Sequence, residues 1–295
     1  MFEEYGFSVA VRAAAKVAEL VGSKLCAGEW SREVTLKEHQ TFENSSVTES
    51  DKQAQKFIME QLALIFPEAL FLAEEKIENP TSVEEILKAP LAFCVDPIDG
   101  TTEFAHDLFQ WCVSIGVLER GLHIGGVIYA PKVCGGLMVV GEQGLSVYLA
   151  EHGREKLERV NAFSLGVSAK PVVSLGLDVQ RSNAYRGFIA ALPKELRPRH
   201  LAPSGAFELG LVAAGRIDAL VQSPQMPWDW AAGYSLVIES EGKFQCYCVE
   251  NGKIIPLEGP NDESYRRDKQ TLGFIAGKPE IVDKLFPILV ETYGK

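Results

Sequence analysis

Closely spaced strand-like segments between residues 70 and 149 constrain the fold of this chain more than any other feature. They are apolar runs, and short turns that contain glycine join several of them. Turns of this kind connect neighbouring antiparallel strands, so we predict an antiparallel sheet here. The predicted strands are Leu70–Ala73, Leu91–Val95, Val113–Leu118, Gly126–Ala130, Leu137–Val140 and Leu145–Leu149.

Two amphipathic helices are predicted around the start of this sheet. Apolar residues recur at helical spacing over residues 7–25 and again over about 51–65. The segment 27–47 between them is polar and irregular, with β-branched Val34 and Thr35, and it predicts a hairpin or flap. The first half is therefore predicted to be α+β, with helices packed on an antiparallel sheet.

Strands and helices alternate in the second half of the chain, which predicts an α/β arrangement there. The charged stretch Glu151–Arg159 lacks apolar periodicity, so we place a domain boundary at this point and predict units of residues 1–150 and 151–295. The predicted strands lie at Val172–Leu177, Ile217–Val221, 244–248 and 272–276, and the predicted helices lie at 184–192, from Ser204, from Asp229 and at 279–292.

Composition argues against several classes of partner. The formal net charge is −11, and no dense Lys/Arg cluster offsets it, so we expect no nucleic-acid partner. No apolar run approaches the roughly 18 residues that cross a bilayer, and the N-terminus lacks a signal-peptide pattern, so we expect no membrane partner. The six cysteines show no disulfide or zinc spacing, which favours a reducing, cytoplasmic location.

Three separate segments place acidic residues at the ends of apolar elements. Glu74 and Glu75 follow one predicted strand, Asp96 and Asp99 follow the next, and Asp229 opens a helix. Each of these acids alone is typical of a turn, a helix cap or a charged surface. Three acidic ends in one chain favour a shared site instead.

The segment Asp-Pro-Ile-Asp-Gly-Thr carries the most chemical information. Pro97 is predicted to end the strand and to stiffen the turn, so that Asp96 and Asp99 face one point. The carbonyl oxygen of Ile98 lies between them. Three hard oxygen donors of this kind suit Mg²⁺, which prefers carboxylates, carbonyls and retained waters.

The next two residues predict an anion site beside that metal. Gly100 would let the backbone approach a ligand closely. If a helix begins at Thr101, its unpaired backbone N–H groups and its dipole would attract a phosphate. Metal and phosphate would therefore meet within one short segment.

Four segments, taken together and in order, resemble the signature of the inositol monophosphatase family of lithium-sensitive, magnesium-dependent phosphatases. The resemblance extends over nearly the whole chain. It implies a layered αβαβα sandwich, usually a homodimer, that acts on a small phosphorylated substrate. The matching segments are Val47–Asp51, Ala73–Glu75, Asp96–Thr102 and Trp228–Gly233.

The resemblance also implies a set of metal ligands. Glu74, Asp96 and the Ile98 carbonyl would hold one Mg²⁺, and Asp96, Asp99 and Asp229 would hold a second. A weaker third ion would lie near Glu74, which makes two to three Mg²⁺ ions in each site. Paired metals can generate hydroxide and neutralise both the attacking and the leaving oxygen.

The catalytic residues implied by the resemblance are Glu74, Thr101 and Asp51. Thr101, hydrogen-bonded to Asp51, would help to orient the attacking water. Backbone N–H groups of Gly100 and Thr101 would hold phosphate oxygens. The implied substrate-binding residues are Gly100, Thr101, Asp99, Ser204, Gln222 and Asp229.

The specificity residues depart from the family pattern, whereas the metal ligands do not. Gln222 stands where inositol-hydrolysing members often carry a Glu that binds ring hydroxyls, and a neutral amide lacks the charge-assisted bond. Further departures are Ala73 for Gly, Glu103 for Asn, Phe109 for Pro and Pro203 for Gly.

Three functions remain open at this point. A phosphatase of inositol monophosphate or a similar polyol phosphate is the leading interpretation, which Thr102 favours. The alternative is a 3'(2'),5'-bisphosphate nucleotidase, since Glu103-Phe104 is similar to the nucleotide-hydrolysing branch. A catalytically inactive binding or regulatory relative is the third, although such a protein should have lost a ligand and this sequence has lost none.

Overall fold

The computed structural model of the chain describes residues 2–31, 34–36, 46–76, 80–151, 156–160 and 170–295. Within these ranges, no helix is both long and apolar enough to span a bilayer. The α-helices are α1 Val9–Ala27, α2 Glu49–Ile65, α3 Val83–Lys88, α4 Thr101–Ala105, α5 Leu177–Arg181, α6 Arg186–Ala190, α7 Gly205–Ala213, α8 Pro227–Glu239 and α9 Pro279–Thr292.

The described strands form a two-stranded ribbon and two larger sheets. The seven-stranded sheet has the order β3-β4-β5-β6-β7-β8-β9 and the six-stranded sheet has the order β11-β10-β12-β15-β13-β14. The strands are β1 Val34–Leu36, β2 Ser46–Thr48, β3 Leu70–Ala73, β4 Ala92–Asp99, β5 Cys112–Glu119, β6 Leu122–Ala130, β7 Leu137–Glu142, β8 Ser146–Ala150, β9 Glu158–Arg159, β10 Val172–Leu175, β11 Arg197–Arg199, β12 Ala219–Gln225, β13 Lys243–Glu250, β14 Lys253–Leu257 and β15 Leu272–Gly277.

Helices and sheets stack in five layers. Helices α1 and α2 pack on the seven-stranded sheet, α7 and α8 lie between the two sheets, and α5, α6 and α9 pack on the far side of the six-stranded sheet. The layered αβαβα sandwich that the sequence predicted is therefore confirmed.

Alternation along the strands assigns each side chain to a layer. On β4, Phe93 and Val95 pack towards α1 and α2, whereas Cys94 between them packs towards the middle helices. On β12, Leu220 packs towards the middle helices and Val221 packs towards α9. Successive strand residues point to opposite faces, so a strand covered on both faces becomes a continuous apolar run.

The predicted antiparallel meander is correct from β4 onwards and wrong at its start. Strand β3 pairs in parallel with β4, with Leu70 opposite Ala92. A parallel pair needs a crossover connection, and the short helix α3, which the sequence analysis missed, lies in that connection. The second half also differs from a purely alternating α/β sheet, because β12, β15, β13 and β14 pair antiparallel.

The two ends of the predicted hairpin pair as expected. Strand β1 is antiparallel to β2, with Val34 opposite Thr48, whereas residues 37–45 lie outside the described part of the chain. The predicted boundary at 150/151 falls before β9, which still belongs to the seven-stranded sheet, whereas β10 of the six-stranded sheet begins at Val172. Division of the chain into independent units at that boundary stays a prediction.

Close packing of α8 on the seven-stranded sheet fixes the position of its first turn. A Cβ added at Gly126 would overlap the carbonyl of Ala232, so only glycine lets the helix approach β6 this closely. The Ser114 hydroxyl on β5 also donates to the Trp228 carbonyl at 3.4 Å. These contacts hold the start of α8, which carries Asp229, against the end of the seven-stranded sheet.

Candidate active site

An irregularity in β4 shapes the centre of the candidate site. The strand pairs with β5 at Asp96 and again at Asp99, and the register shifts between them, where Pro97 and Ile98 lie. The prediction that Pro97 ends the strand is therefore wrong. Proline cannot donate to a strand ladder, and a bulge is a position where no such donation is needed.

Asp96 lies at the centre of the acidic residues. It is only 2% exposed, and its Oδ1 accepts from the Ile98 backbone N–H at 3.0 Å. Burial raises the pKa of Asp96 well above its ordinary value, and the nearby carboxylates of Glu74, Asp99 and Asp229 raise it further. Acids from β3, β4 and α8 are therefore near enough to repel a charge on Asp96.

Glu74 reaches Asp96 from the end of the neighbouring strand. Its backbone N–H donates to the Val95 carbonyl at 3.2 Å, which continues the β3–β4 ladder by one residue. A side-chain contact with Glu74 adds to the effects that raise the pKa of Asp96.

Asp99 joins the end of β4 to the start of α7. Its Oδ2 accepts from the Ala206 backbone N–H at 2.6 Å, and the Ser204 side chain bonds to it as well. Burial raises the pKa of Asp99 to about 7, against the lowering effect of these two bonds. Ser204, a predicted substrate residue, caps α7 and therefore lies against the predicted metal site.

Asp229 is both a helix cap and a member of the acidic group. It is the third residue of α8, which begins at Pro227 and not at Asp229 as predicted. Its Oδ2 accepts from the Met226 backbone N–H at 3.0 Å. Asp229 therefore caps the start of α8, as an acid in this position commonly does. The same carboxylate raises the pKa of Asp96.

The predicted pairing of Thr101 with Asp51 is present. The Thr101 hydroxyl lies 3.1 Å from Asp51 Oδ1 and 3.2 Å from the Ile98 carbonyl oxygen, and it can donate to either. Asp51 is fully buried on α2. Helix α2 thus brings a carboxylate to the hydroxyl that follows the β4 bulge.

Contacts within the chain already require glycine at position 100, and the predicted approach of a ligand to its backbone stays a prediction. The φ of Gly100 is +97°, and a Cβ there would lie 2.9 Å from the Gln110 carbonyl oxygen. Crowding within the chain and the left-handed backbone therefore select glycine at this position. Helix α4 begins at Thr101 as predicted but has only five residues, so its dipole adds little to the attraction of an anion.

Gln222 is buried on the side of the site that Ser204 occupies. The residue is 5% exposed, and its amide lies between Gly176 and Gly205, where a Cβ at Gly176 would overlap the amide oxygen. The Tyr247 hydroxyl donates to the Gln222 carbonyl at 2.6 Å and fixes the backbone there. The structure therefore brings the predicted specificity residue near the start of α7, next to the Asp99 contact.

The donor atoms of this site suit a hard divalent cation. Among the described residues, no three His, Cys, Asp or Glu side chains are close enough to coordinate an ion as they are placed. The acids around Asp96 are nevertheless oxygen donors with an excess of negative charge in a buried position. A cation such as Mg²⁺ would remove the repulsion that raises the pKa of Asp96 and Asp99, once the carboxylates turn towards it.

Three supporting residues were missed by the sequence analysis. Gln55 pairs with the backbone of Glu75, Arg267 donates to the Ala73 carbonyl at 2.9 Å, and Glu208 accepts from the Ala202 backbone N–H at 3.1 Å beneath the loop before α7. The position of Gln55, four residues after Asp51 on a helix, was a signal that could have been used. The sequence gives no comparable signal for the other two.

Several known proteins are similar to this chain in sequence. The sequence pattern of the inositol monophosphatase family matches residues 4–282. An inositol-1-monophosphatase of Bacillus subtilis is 31% identical over 204 residues, which cover 68% of this chain and 72% of the relative. A fructose-1,6-bisphosphatase/inositol-1-monophosphatase of Thermotoga maritima is 31% identical over 213 residues, which cover 72% of this chain and 75% of the relative.

A solved structure resembles the whole fold. The extragenic suppressor protein suhB of Bartonella henselae superposes with a TM-score of 0.72 at 25% identity, over 96% of this chain and 98% of that protein. The layered architecture is therefore shared along almost the full length of both chains.

Replacing Asp96 by Asn is expected to stabilise the protein when no divalent cation is present. A carboxyl group whose folded-state pKa is raised stabilises the fold while it is protonated, and that contribution is lost as the pH rises through the folded-state pKa. Asn cannot ionise but keeps the oxygen that accepts from the Ile98 N–H.

Urea unfolding in chelator measures this effect. We expect the free energy of unfolding of Asp96→Asn to exceed that of the wild type by about 1–3 kcal/mol near pH 8, with a smaller difference near pH 5. Asp107→Asn, in an exposed position, is the control and should change little. A less stable Asp96→Asn protein near pH 8 would show that Asp96 is not under electrostatic repulsion.

Proposed function

Because the chain belongs to the inositol monophosphatase family, we propose that it is a magnesium-dependent phosphatase that hydrolyses a small phosphate monoester. The family and the names of the relatives indicate a phosphatase. The observation that carries the finer proposal is the buried Asp96 with three half-buried acids around it, Glu74, Asp99 and Asp229, which lie just after β3, at the end of β4 and in the first turn of α8. A phosphate group, itself negative, could approach these acids only with cations between them.

Residues of the chain would hold the metal in two overlapping sets. Glu74, Asp96 and the Ile98 carbonyl form one set, and Asp96, Asp99 and Asp229 form the other. Bound Mg²⁺ supplies an activated water and neutralises charge on the phosphoryl oxygens. The Ile98 N–H bond at 3.0 Å orients Asp96, which belongs to both sets. Capping of α8 by Asp229 similarly restricts the rotation of that carboxylate.

Thr101 and Asp51 would orient the attacking water. When the Thr101 hydroxyl donates to Asp51, its oxygen lone pairs are available to accept a hydrogen bond from a water molecule. Because Asp51 is buried on the helix α2, its carboxylate is held beside this hydroxyl away from bulk water. The N–H groups of Gly100 and Thr101 precede or begin α4 and would hold phosphate oxygens.

We favour a polyol phosphate such as inositol monophosphate over a bisphosphate nucleotide. Glu103 lies close enough to Asp99 to raise its pKa. The pKa of Glu103 is itself raised by burial, against the opposite influence of His106 and His200. The preference for a polyol phosphate therefore rests on Thr102, since Glu103-Phe104 is itself similar to the nucleotide-hydrolysing branch. A homodimer and a cytoplasmic location stay predictions.

Phosphate release from inositol 1-phosphate tests the metal dependence. Activity should vanish in chelator and return with added Mg²⁺, while excess Ca²⁺ and Li⁺ should inhibit. Circular dichroism in chelator is the control that the fold is retained. Asp96→Asn should lower kcat by at least about 10²-fold at saturating Mg²⁺, because it removes a charge from both ligand sets. Full activity in chelator would overturn the proposal.

Thr101→Ala separates water orientation from phosphate binding. We expect kcat to fall by about 10²-fold while KM changes less than about threefold, since the hydroxyl is proposed to act on the nucleophile. Thr101→Ser keeps the hydroxyl and should retain most of the activity. A rise in KM with kcat unchanged would make Thr101 a phosphate ligand only.

Gln222→Glu tests the substrate preference. A carboxylate accepts charge-assisted bonds from vicinal hydroxyls, worth about 1.5–3 kcal/mol against about 1 for an amide. The substitution should therefore raise kcat/KM for inositol 1-phosphate about tenfold and leave glycerol phosphate and 3'-phosphoadenosine 5'-phosphate nearly unchanged.

The matched control is Gln245→Glu on β13, whose amide donates to the Leu257 carbonyl of the edge strand β14 at 3.2 Å. This control substitution should leave the relative kcat/KM values of the three substrates unchanged. If the wild type already prefers inositol 1-phosphate strongly and Gln222→Glu has no effect, Gln222 does not contact the substrate.

A further inference from the structure

Two of the buried polar side chains on helix α2, Asp51 and Gln55, lie one helical turn apart. Asp51 accepts from Thr101 and already has a proposed function. Gln55, four residues later and only 4% exposed, has none. Residues at this spacing lie on the same face of a helix, so both point towards the end of the seven-stranded sheet.

The amide of Gln55 pairs with the backbone of Glu75 through two hydrogen bonds. Gln55 Oε1 accepts from the Glu75 N–H at 2.8 Å, and Gln55 Nε2 donates to the Glu75 carbonyl at 3.0 Å. This arrangement imitates the exchange of two bonds between adjacent strands. Both partners are buried, so loss of the amide would leave backbone groups without a partner in a position that excludes water.

Glu74 is consequently held by the backbone on both of its sides. The Glu74 N–H donates to the Val95 carbonyl of β4 at 3.2 Å, and Arg267 Nη2 donates to the Ala73 carbonyl at 2.9 Å. The two hydrogen bonds between Gln55 and Glu75 fix the backbone of the residue that follows Glu74. Arg267, β4 and α2 therefore restrain Ala73, Glu74 and Glu75 in turn. These restraints act where β3 ends and its pairing with β4 stops.

We propose that Gln55 is a positioning residue that sets the direction of the Glu74 carboxylate towards the metal. Because Asp51 lies one turn before Gln55 on the same face of α2, one helix fixes both Glu74 and the Thr101 hydroxyl. The helix thereby couples the metal ligand to the group that orients the water. This inference rests on the proposed function, since it takes Glu74 as a ligand. It adds Gln55 and α2 to the residues on which metal affinity depends.

Metal binding follows the orientation of a ligand more closely than it follows fold stability. Loss of a group that orients a ligand typically weakens metal affinity by about 10–100-fold. If Gln55 only satisfied a buried peptide, its removal would lower the thermal midpoint and leave the affinity for metal unchanged. These two consequences can be measured separately on the folded protein.

The experiment measures Mn²⁺ binding by calorimetry for the wild type, Gln55→Ala and Gln53→Ala, with thermal midpoints recorded in parallel. Gln53 lies on the same helix, but its amide donates to exposed Glu49 at 3.1 Å, which makes it the matched control. We expect Gln55→Ala to bind Mn²⁺ at least about tenfold more weakly at the tighter site, and Gln53→Ala to bind it like the wild type. The Mg²⁺ concentration for half-maximal activity should rise in parallel, with KM at saturating Mg²⁺ unchanged.

A second variant keeps the test decisive if Gln55→Ala does not fold. Gln55→Glu keeps the oxygen that accepts from the Glu75 N–H but loses the donor to its carbonyl, so it should show an intermediate loss of affinity. Wild-type affinity in these variants, with or without a lower thermal midpoint, would overturn the inference about Gln55. Failure of the wild type itself to bind Mn²⁺ would overturn the proposed function instead.

Discussion

Repulsion between the buried carboxylate of Asp96 and the half-buried acids around it is the constraint on which the rest of this structure depends. Asp96 is almost inaccessible to water, and burial together with Glu74, Asp99 and Asp229 raises its pKa. A fold gains nothing in stability by gathering such groups, because each ionised carboxyl group loses hydration and repels the others. Cations placed between these carboxylates would relieve that repulsion, which is the physical basis of the proposed metal dependence.

The fold supplies those acids from elements that are distant in sequence and rigid in structure. Parallel pairing places the end of β3 beside β4, and the bulge in β4 turns Asp96 and Asp99 to one end of the sheet. Glycine at position 126 lets α8 approach the sheet, which brings Asp229 to the same end. From the other face, α2 presents Asp51 and Gln55. Helices on both faces thus support one row of strand ends.

Sequence patterns predicted most of the elements and the acidic residues because both depend on local signals, whereas the layered order was implied by the family resemblance. Alternating and helical spacing gave most elements, and the acids followed apolar runs directly. The parallel pairing of β3 depends on the short helix α3, whose six residues carry too little periodicity to be recognised. Pro97 appeared to end a strand that in fact continues through a bulge. Contacts such as that of Arg267 with Ala73 join residues 194 positions apart, and no local pattern records them.

The most direct test of the metal centre is anomalous diffraction from crystals of the protein grown with Mn²⁺. We expect anomalous peaks from Mn²⁺ ions coordinated by the carboxylates of Glu74, Asp96 and Asp229, with Asp96 shared between two ions. Crystals in which Mn²⁺ is bound elsewhere, while these carboxylates are ordered and contact no ion, would contradict this expectation.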